Sequence, residues 1–237
     1  MADIPAIRET TETGDIRYVA FCDILGFSSE ILNNFDETIK AYQDFGRSMA
    51  DFPVEEVQAT MYSDAILITG ISLLRVLSAV QSLWFFALSR NLVIRGAITH
   101  GRYWEQRTGN SLLVASDALV RAVKLEKSVG VPAVVIADDV VIPDDYWKAR
   151  FANGPFLTAI LHFRDRNIVN PFNIMWFRSA AMRVQQLMEK HPSHRDKYLW
   201  FLALHKAVEE NQPLIPPGIF SRFIRDGILY DKAKKAE

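Results

Sequence analysis

Two carboxylates, Asp23 and Asp64, are the residues of this chain best placed to do chemistry. Asp23 ends the apolar run Ile16-Arg17-Tyr18-Val19-Ala20-Phe21-Cys22, which reads as a buried strand. Asp64 lies in Met61-Tyr62-Ser63-Asp64, between Val57 to Thr60 and Ala65 to Thr69, two short runs that read as a hairpin. Brought to one sheet edge, such a pair can hold two divalent cations side by side. Hard cations roughly 3.5–4 Å apart activate an attacking hydroxyl and neutralise a leaving phosphate. Magnesium takes only one or two protein carboxylates and completes its shell with phosphate oxygens and water. Directly behind Asp23, Leu25-Gly26-Phe27-Ser28 leads into a helix. Backbone N–H groups there can receive a polyphosphate, and Gly26 permits close approach. The pattern is a strand-end acid for metal and then a turn for phosphate. Each acid also has a plainer reading: Asp23 as the cap of a turn, Ser63-Asp64 as ordinary hairpin chemistry.

The flanking elements must bring these acids together. Ile31, Phe35, Ile39, Tyr42 and Met49 recur at helical spacing over 29–50, closed by Pro53. A second helix is expected over 73–89. LVIRGAIT (92–99) reads as a strand broken at Gly101, 112–128 as a helix, and PAVVIA (132–137) as a strand. The order is β-α-β-β-α-β, an α+β, ferredoxin-like arrangement. A right-handed crossover makes the first two strands parallel with the third between them. The end of strand one then lies beside the hairpin turn, where Asp23 and Asp64 meet. From about 175 the pattern is helical again (MRVQQLMEK, KYLWFLALHKAVEE), and Pro213, Pro216, Pro217 and Gly218 stop the last helix. The expected organisation is a flexible tail over 1–15, a catalytic domain over 16–175, and a helical extension over 176–237 packed on that domain.

The bulk properties exclude several classes. A chain of 237 residues, 49% hydrophobic and 23% charged, holds one globular core, and a net charge of −1 speaks against a general nucleic-acid or membrane-surface binder. One cysteine, Cys22, excludes an internal disulfide and fits a reducing, cytoplasmic compartment. Alternation turns Cys22 away from Asp23, into the core. MADIPAIRETTETGD has no apolar h-region and is no signal peptide. Residues 65–89 are apolar around the single charge of Arg75, but Gly70, Arg75 and Gln81 favour a buried strand and core helix over a membrane span. His191 and His194 flank Pro192 and lack partner ligands for zinc. Trp84-Phe85-Phe86 and Trp200-Phe201 read as core or dimer packing.

Four segments resemble the motifs of class III nucleotidyl cyclase domains. FCDILGFS resembles their F-x-D-I-x-G-F-S/T start, YSDAILI their G-D-A hairpin, VIRGAITHG their R-x-G-I-x-x-G strand, and SDALVRAVKLEK their G-D-x-V-N-x-A-x-R-M-E helix. The resemblance covers about residues 17 to 137. Together with RGAITHG and a C-terminal part containing HRDKYLW, it looks most like the bacterial pyrimidine cyclases of Pycsar antiphage systems.

The resemblance implies attack of a ribose 3′-hydroxyl on the α-phosphorus of a nucleoside triphosphate, with pyrophosphate leaving. It implies that Asp23 and Asp64 hold two Mg²⁺ or Mn²⁺ ions, that the Ile24 carbonyl ligates one, and that Leu25, Gly26 and Phe27 offer backbone donors to phosphate. It also implies a homodimer with the site at the subunit seam. Departures are specific. Lys124 stands where the family has its transition-state arginine, and Val120 where it has asparagine. A lysine neutralises charge without a bidentate fork, and Arg121 is the alternative cation; either residue also reads as part of a solvated helix face. The family's purine-selecting lysine and aspartate are replaced by Thr60 and Leu113, which points to a smaller base, read by Thr60, Tyr62 and Arg95. Arg95 reads equally as a salt-bridge partner of Asp23 or Asp64, and Tyr62 as hairpin packing. The expected reaction is UTP to 3′,5′-cyclic UMP, the product being read by a separate effector protein in antiphage defence. The alternatives are CTP to cyclic CMP, an adenylate or guanylate cyclase, and a catalytically silent cyclase-like nucleotide-binding domain.

Overall fold

The structure is a computed structural model that describes residues 13–50, 52, 53 and 55–228. The expected tail falls largely outside the described residues. The first strand, β1 (Asp15–Leu25), is apolar on both faces because it lies in the middle of the sheet. Ala20, Cys22 and Ile24 are buried on one face and Val19 on the other. The hairpin strands follow as β2 (Val57–Tyr62) and β3 (Ala65–Gly70), and then β4 (Val93–Thr108). The sheet order is β2-β3-β1-β4, and every neighbouring pair in it is antiparallel. β1 and β2 are therefore parallel with β3 between them, the α+β, ferredoxin-like core expected from the sequence. Among the described residues the sheet has eight strands. β4 continues to β6 (Val134–Ile136), which runs parallel to it, and then to the hairpin of β8 (Arg166–Val169) and β7 (Ile160–Phe163).

One face of the sheet carries Cys22, Ile24, Ile66, Ile68, Ile94 and Ile98. It is covered by α3 (Leu73–Ser89) through Val76, Val80 and Trp84. α3 has the expected bounds, and no helix among the described residues is long and apolar enough to cross a membrane. The other face carries Val19 and Tyr103, packed against Ala118 of α4 (Asp117–Val129). The C-terminal helices α6 (Phe177–Lys190) and α7 (Arg195–Glu209) share the main core: the rings of Trp84 and Phe201 lie 5.7 Å apart.

Several boundaries differ from the sequence reading. β1 does not end before Asp23 but runs to Leu25, because Asp23 has ladder partners on both sides. The single helix expected over 29–50 is two, α1 (Phe27–Asn33) and α2 (Phe35–Met49). Asn34 breaks it at φ −140° and ψ 53°, and its amide bonds back to the Glu30 carbonyl at 2.7 Å. β4 passes through Gly101, where the missing Cβ leaves room for Asp117 and Arg121 of α4. The start of the expected 112–128 helix is instead β5 (Ser111–Ser116), which extends the β4 ladder; Ser116 then caps α4 by accepting from the Leu119 amide at 3.0 Å.

The hairpin of β7 and β8 and helix α5 (Asp144–Asn153) were not expected. That hairpin turns on Arg164 and Asp165, both at positive φ, so no glycine marks it. Pro217 opens a further helix, α8 (Pro217–Arg225), rather than stopping one, since a helix's first position needs no N–H. α7 already ends at Glu209.

Phe201→Ala should lower the unfolding free energy by about 3–5 kcal/mol, in one cooperative transition in a urea titration. A second, separate transition would show that the C-terminal helices fold independently.

Candidate active site

The ladder register builds the site. Asp23 stands directly opposite Arg95 on one side and Ala65 on the other. Residues facing each other across an antiparallel ladder project from the same face. Thr60, opposite Leu67, and Tyr62, opposite Ala65, share that face. The structure thus gathers Asp23, Thr60, Tyr62 and Arg95 on the face that carries α4. Tyr62 is 82% exposed, projecting from the sheet rim.

The hairpin turn sets Asp64 beside the end of β1. Ser63 adopts φ 56°, and the Asp64 carbonyl then accepts from the Ile24 amide at 3.0 Å. In a strand a residue's N–H and C=O point to the same edge, so the Ile24 carbonyl is also turned toward Asp64. Leu25 ends the ladder opposite Val93. Gly26 takes φ 85°, a conformation that costs glycine little, and α1 starts at Phe27. The amides of Ser29 and Glu30 close onto the Gly26 carbonyl at 3.1 Å each, whereas those of Gly26 and Phe27 have no backbone partner among the described residues. Of the three expected phosphate donors, the last two make no backbone bond among the described residues and Leu25 lies in the ladder.

Arg95 is held from two directions. Its Nε donates to Asp23 Oδ2 at 3.1 Å, its Nη2 lies 3.0 Å from the same oxygen, and its Nε lies 2.6 Å from Glu126 Oε1. The contact with Glu126 is an ion pair without hydrogen-bond alignment. The Glu126 side chain is only 4% exposed. Asp23 is shifted above the ordinary carboxylate range, chiefly by burial; Arg95 pulls it back and the neighbouring charge of Asp64 pushes it further up. Glu126 is raised by burial too, against Arg95 and with Asp23 adding. Two carboxylates thus share one guanidinium and the charge of Asp64 bears on one of them, which leaves a surplus of negative charge at the sheet edge.

That surplus fits divalent cations. Among the described residues no three His, Cys, Asp or Glu side chains gather at one point. A site closed by protein ligands alone, as structural zinc requires, is therefore not assembled there. Two carboxylates and a strand-end carbonyl with open positions are the donor set of Mg²⁺ or Mn²⁺ sharing its shell with phosphate and water.

The two candidate cations of α4 differ. Arg121 pairs with Asp139 and donates to the His100 carbonyl at 2.5 Å. Lys124 is exposed and has no ion pair among the described residues. Val120, one turn earlier on the same helix face, is 53% exposed. Leu113 is exposed on β5, away from Asp23 in the ladder.

Two residues were not singled out from the sequence. Glu126 enters the sequence reading only as the glutamate of the matched helix motif, with no role given to it. Tyr42 reads only as part of an apolar stripe, yet its ring lies 5.3 Å from that of Phe27, and its buried hydroxyl has no hydrogen-bond partner among the described residues. Burial, with a contribution from Asp64, pushes its pKa up to about 12. Cys22 is buried, and burial pushes its thiol up, as expected of a core residue.

No protein-family model and no curated protein matches the chain. Among solved structures it is similar to the adenylyl cyclase CyaB from P. aeruginosa, with 12% identity over 52% of this chain and 77% of that one and a TM-score of 0.39. It is similar to the guanylyl cyclase Cya2, with 14% identity over 67% of this chain and 93% of that one and a TM-score of 0.40. It is also similar to a class III adenylyl cyclase-like ATP-binding protein from Pseudomonas aeruginosa, with 9% identity over 72% of this chain, 40% of that one and a TM-score of 0.43.

Tyr42→Phe deletes only the unpartnered hydroxyl and should raise the unfolding free energy of the ligand-free protein by about 1 kcal/mol, read from the urea midpoint. The raised Asp23 pKa has a definite sign. The folded state holds this proton more tightly than the unfolded chain, so the residue's contribution to stability rises as pH falls through a window just above the ordinary carboxylate range. Asp23→Asn should remove that part of the stability–pH profile.

Proposed function

We propose that this chain is a metal-dependent nucleotidyl cyclase with a pyrimidine preference, converting UTP to 3′,5′-cyclic UMP and pyrophosphate. The observation that carries the reading is the meeting of Asp23 and Asp64 at one sheet edge, joined by the bond from the Ile24 amide to the Asp64 carbonyl and followed at once by the Gly26 turn. Asp23, Asp64 and the Ile24 carbonyl would hold two Mg²⁺ or Mn²⁺ ions. Bound there, the ions supply activation of the ribose 3′-hydroxyl and neutralisation of the leaving phosphate.

The chain's own residues do the rest. The amides of Gly26 and Phe27, which make no backbone bond among the described residues, receive phosphate oxygens, with Leu25 fixing the turn to the ladder. Arg95, gripped by Asp23 and Glu126, orients the Asp23 carboxylate; this engagement leaves Thr60 and Tyr62 as the better-placed readers of the base. Lys124 neutralises charge developing on the α-phosphate, as a point charge without a fork. Its lack of an ion pair favours it over Arg121. The exposed Leu112, Leu113 and Val120 support a homodimer in which α4 of one subunit faces the Asp23 edge of the other. The cytoplasmic setting rests on the single cysteine, and an effector that reads the cyclic nucleotide in antiphage defence rests on the sequence resemblance alone.

A second reading is a catalytically silent nucleotide-binding domain, favoured by the apolar Val120 on the helix face of Lys124. The test is incubation with each of the four ribonucleoside triphosphates and Mn²⁺, with the product identified by mass spectrometry. Cyclic UMP is the expected product, and Asp64→Ala should reduce it to background with an unchanged circular dichroism spectrum. Lys124→Ala should lower kcat about 10²–10³-fold and Lys124→Arg should restore activity. Cyclic CMP or a cyclic purine nucleotide as main product would overturn the base assignment; no cyclic product from any triphosphate would favour the silent domain.

A further inference from the structure

The C-terminal helices reach the phosphate end of the site. Lys190, the last residue of α6, places its Nζ 2.9 Å from Glu30 Oε1 in the first turn of α1, three residues beyond Phe27. The charge of His191 also bears on Glu30. At the other end of the α6–α7 junction, Lys197 lies in the first turn of α7, and its charge bears on Asp23. Tyr198, the next residue, is buried in the shared core, so this turn of α7 is fixed rather than a free arm. The stretch Lys190-His191-Pro192-Ser193-His194-Arg195-Asp196-Lys197 therefore starts in contact with the first turn of α1 and ends where the Lys197 charge bears on Asp23.

The charges along this stretch are unbalanced. Lys190 is occupied by Glu30, and Asp196 is the single acid. Arg195 and Lys197 form no ion pair among the described residues. Asp23, Asp64 and Glu126 give the neighbouring edge a negative surplus that would repel an incoming polyphosphate. Unpaired cations on the adjoining element offset that repulsion where terminal phosphates would lie, and a lysine serves terminal phosphates as a flexible point charge.

We propose that the α6–α7 junction, through Arg195 and Lys197, forms a cationic rim that binds the terminal phosphates of a polyphosphate ligand in the same subunit as Asp23. The inference rests on the cyclase reading and deepens it: the helical extension supplies the contact to the leaving pyrophosphate group in cis.

The test is calorimetric titration of the full chain with inorganic tripolyphosphate, with pyrophosphate and with α,β-methylene-UTP, each with Mn²⁺. Lys197→Gln, Arg195→Gln and the double variant are compared with Lys206→Gln, whose side chain lies at the far end of α7 near Glu210. Each single variant should weaken tripolyphosphate and pyrophosphate binding about tenfold, the double variant more, with Lys197→Arg restoring affinity and Lys206→Gln unchanged. Melting curves identify any variant that fails to fold, in which case Lys197→Arg against Lys197→Met decides. Unchanged affinity in the folded double variant overturns the inference and leaves the cyclase reading standing. Tripolyphosphate binding that depends on Lys197, in a protein that makes no cyclic nucleotide, upholds the rim and overturns the cyclase reading. No polyphosphate binding by the wild type overturns both.

Discussion

The shared guanidinium of Arg95 organises the site. It lies between Asp23 of β1 and Glu126 of α4, so a single side chain ties the central strand, its neighbour β4 and the helix on that face. Neither acid is comfortable there as an anion, since burial raises both pKa values, Asp64 adds to the rise at Asp23 and Asp23 to the rise at Glu126. A partly buried carboxylate is tolerated only when opposite charge and hydrogen bonds answer it. Arg95 answers two acids at once, and Asp64 adds a third. The edge is left short of positive charge in the place where the backbone turns outward.

That shortage gives the open features around it a common meaning. The hydroxyl of Tyr42 is buried near Asp64 without a partner among the described residues, and the amides of Gly26 and Phe27, at a turn that only glycine enters easily, make no backbone bond there. Unsatisfied polar groups are costly in a folded chain and tend to collect where a ligand will satisfy them. Here they surround two carboxylates and a strand-end carbonyl. Metal ions with phosphate oxygens would complete such a set, and cations on the α6–α7 junction would extend it outward.

The first half of the fold is legible in the sequence because its signals are local. Ala65 to Gly70 and Leu73 to Ser89 are apolar runs bounded by turn residues, and they form β3 and α3. The right-handed crossover then places β3 between β1 and β2, which brings Asp23 to Asp64. Boundaries that depend on distant partners are not legible. Gly101 reads as a strand breaker, but it marks the close approach of α4 to a continuing strand. Ser111 to Ser116 looks helical in isolation and is a strand because β4 offers it a ladder. Arg164 and Asp165 form a hairpin turn in a conformation usually marked by glycine or asparagine.

The sequence by itself determined the two acids, the glycine turn behind the first, the order of the strands from β1 to β4, and the single buried cysteine. Periodicity, turn chemistry and crossover handedness act over short spans and are written in neighbouring residues. Only the tertiary structure decided that Arg95 is shared by Asp23 and Glu126, that Arg121 is tied to Asp139 while Lys124 is not, and that Lys190 at the end of α6 meets Glu30 in the first turn of α1. Those facts depend on which faces pack together, and contacts between residues far apart in the chain are fixed by the whole core rather than by any one segment.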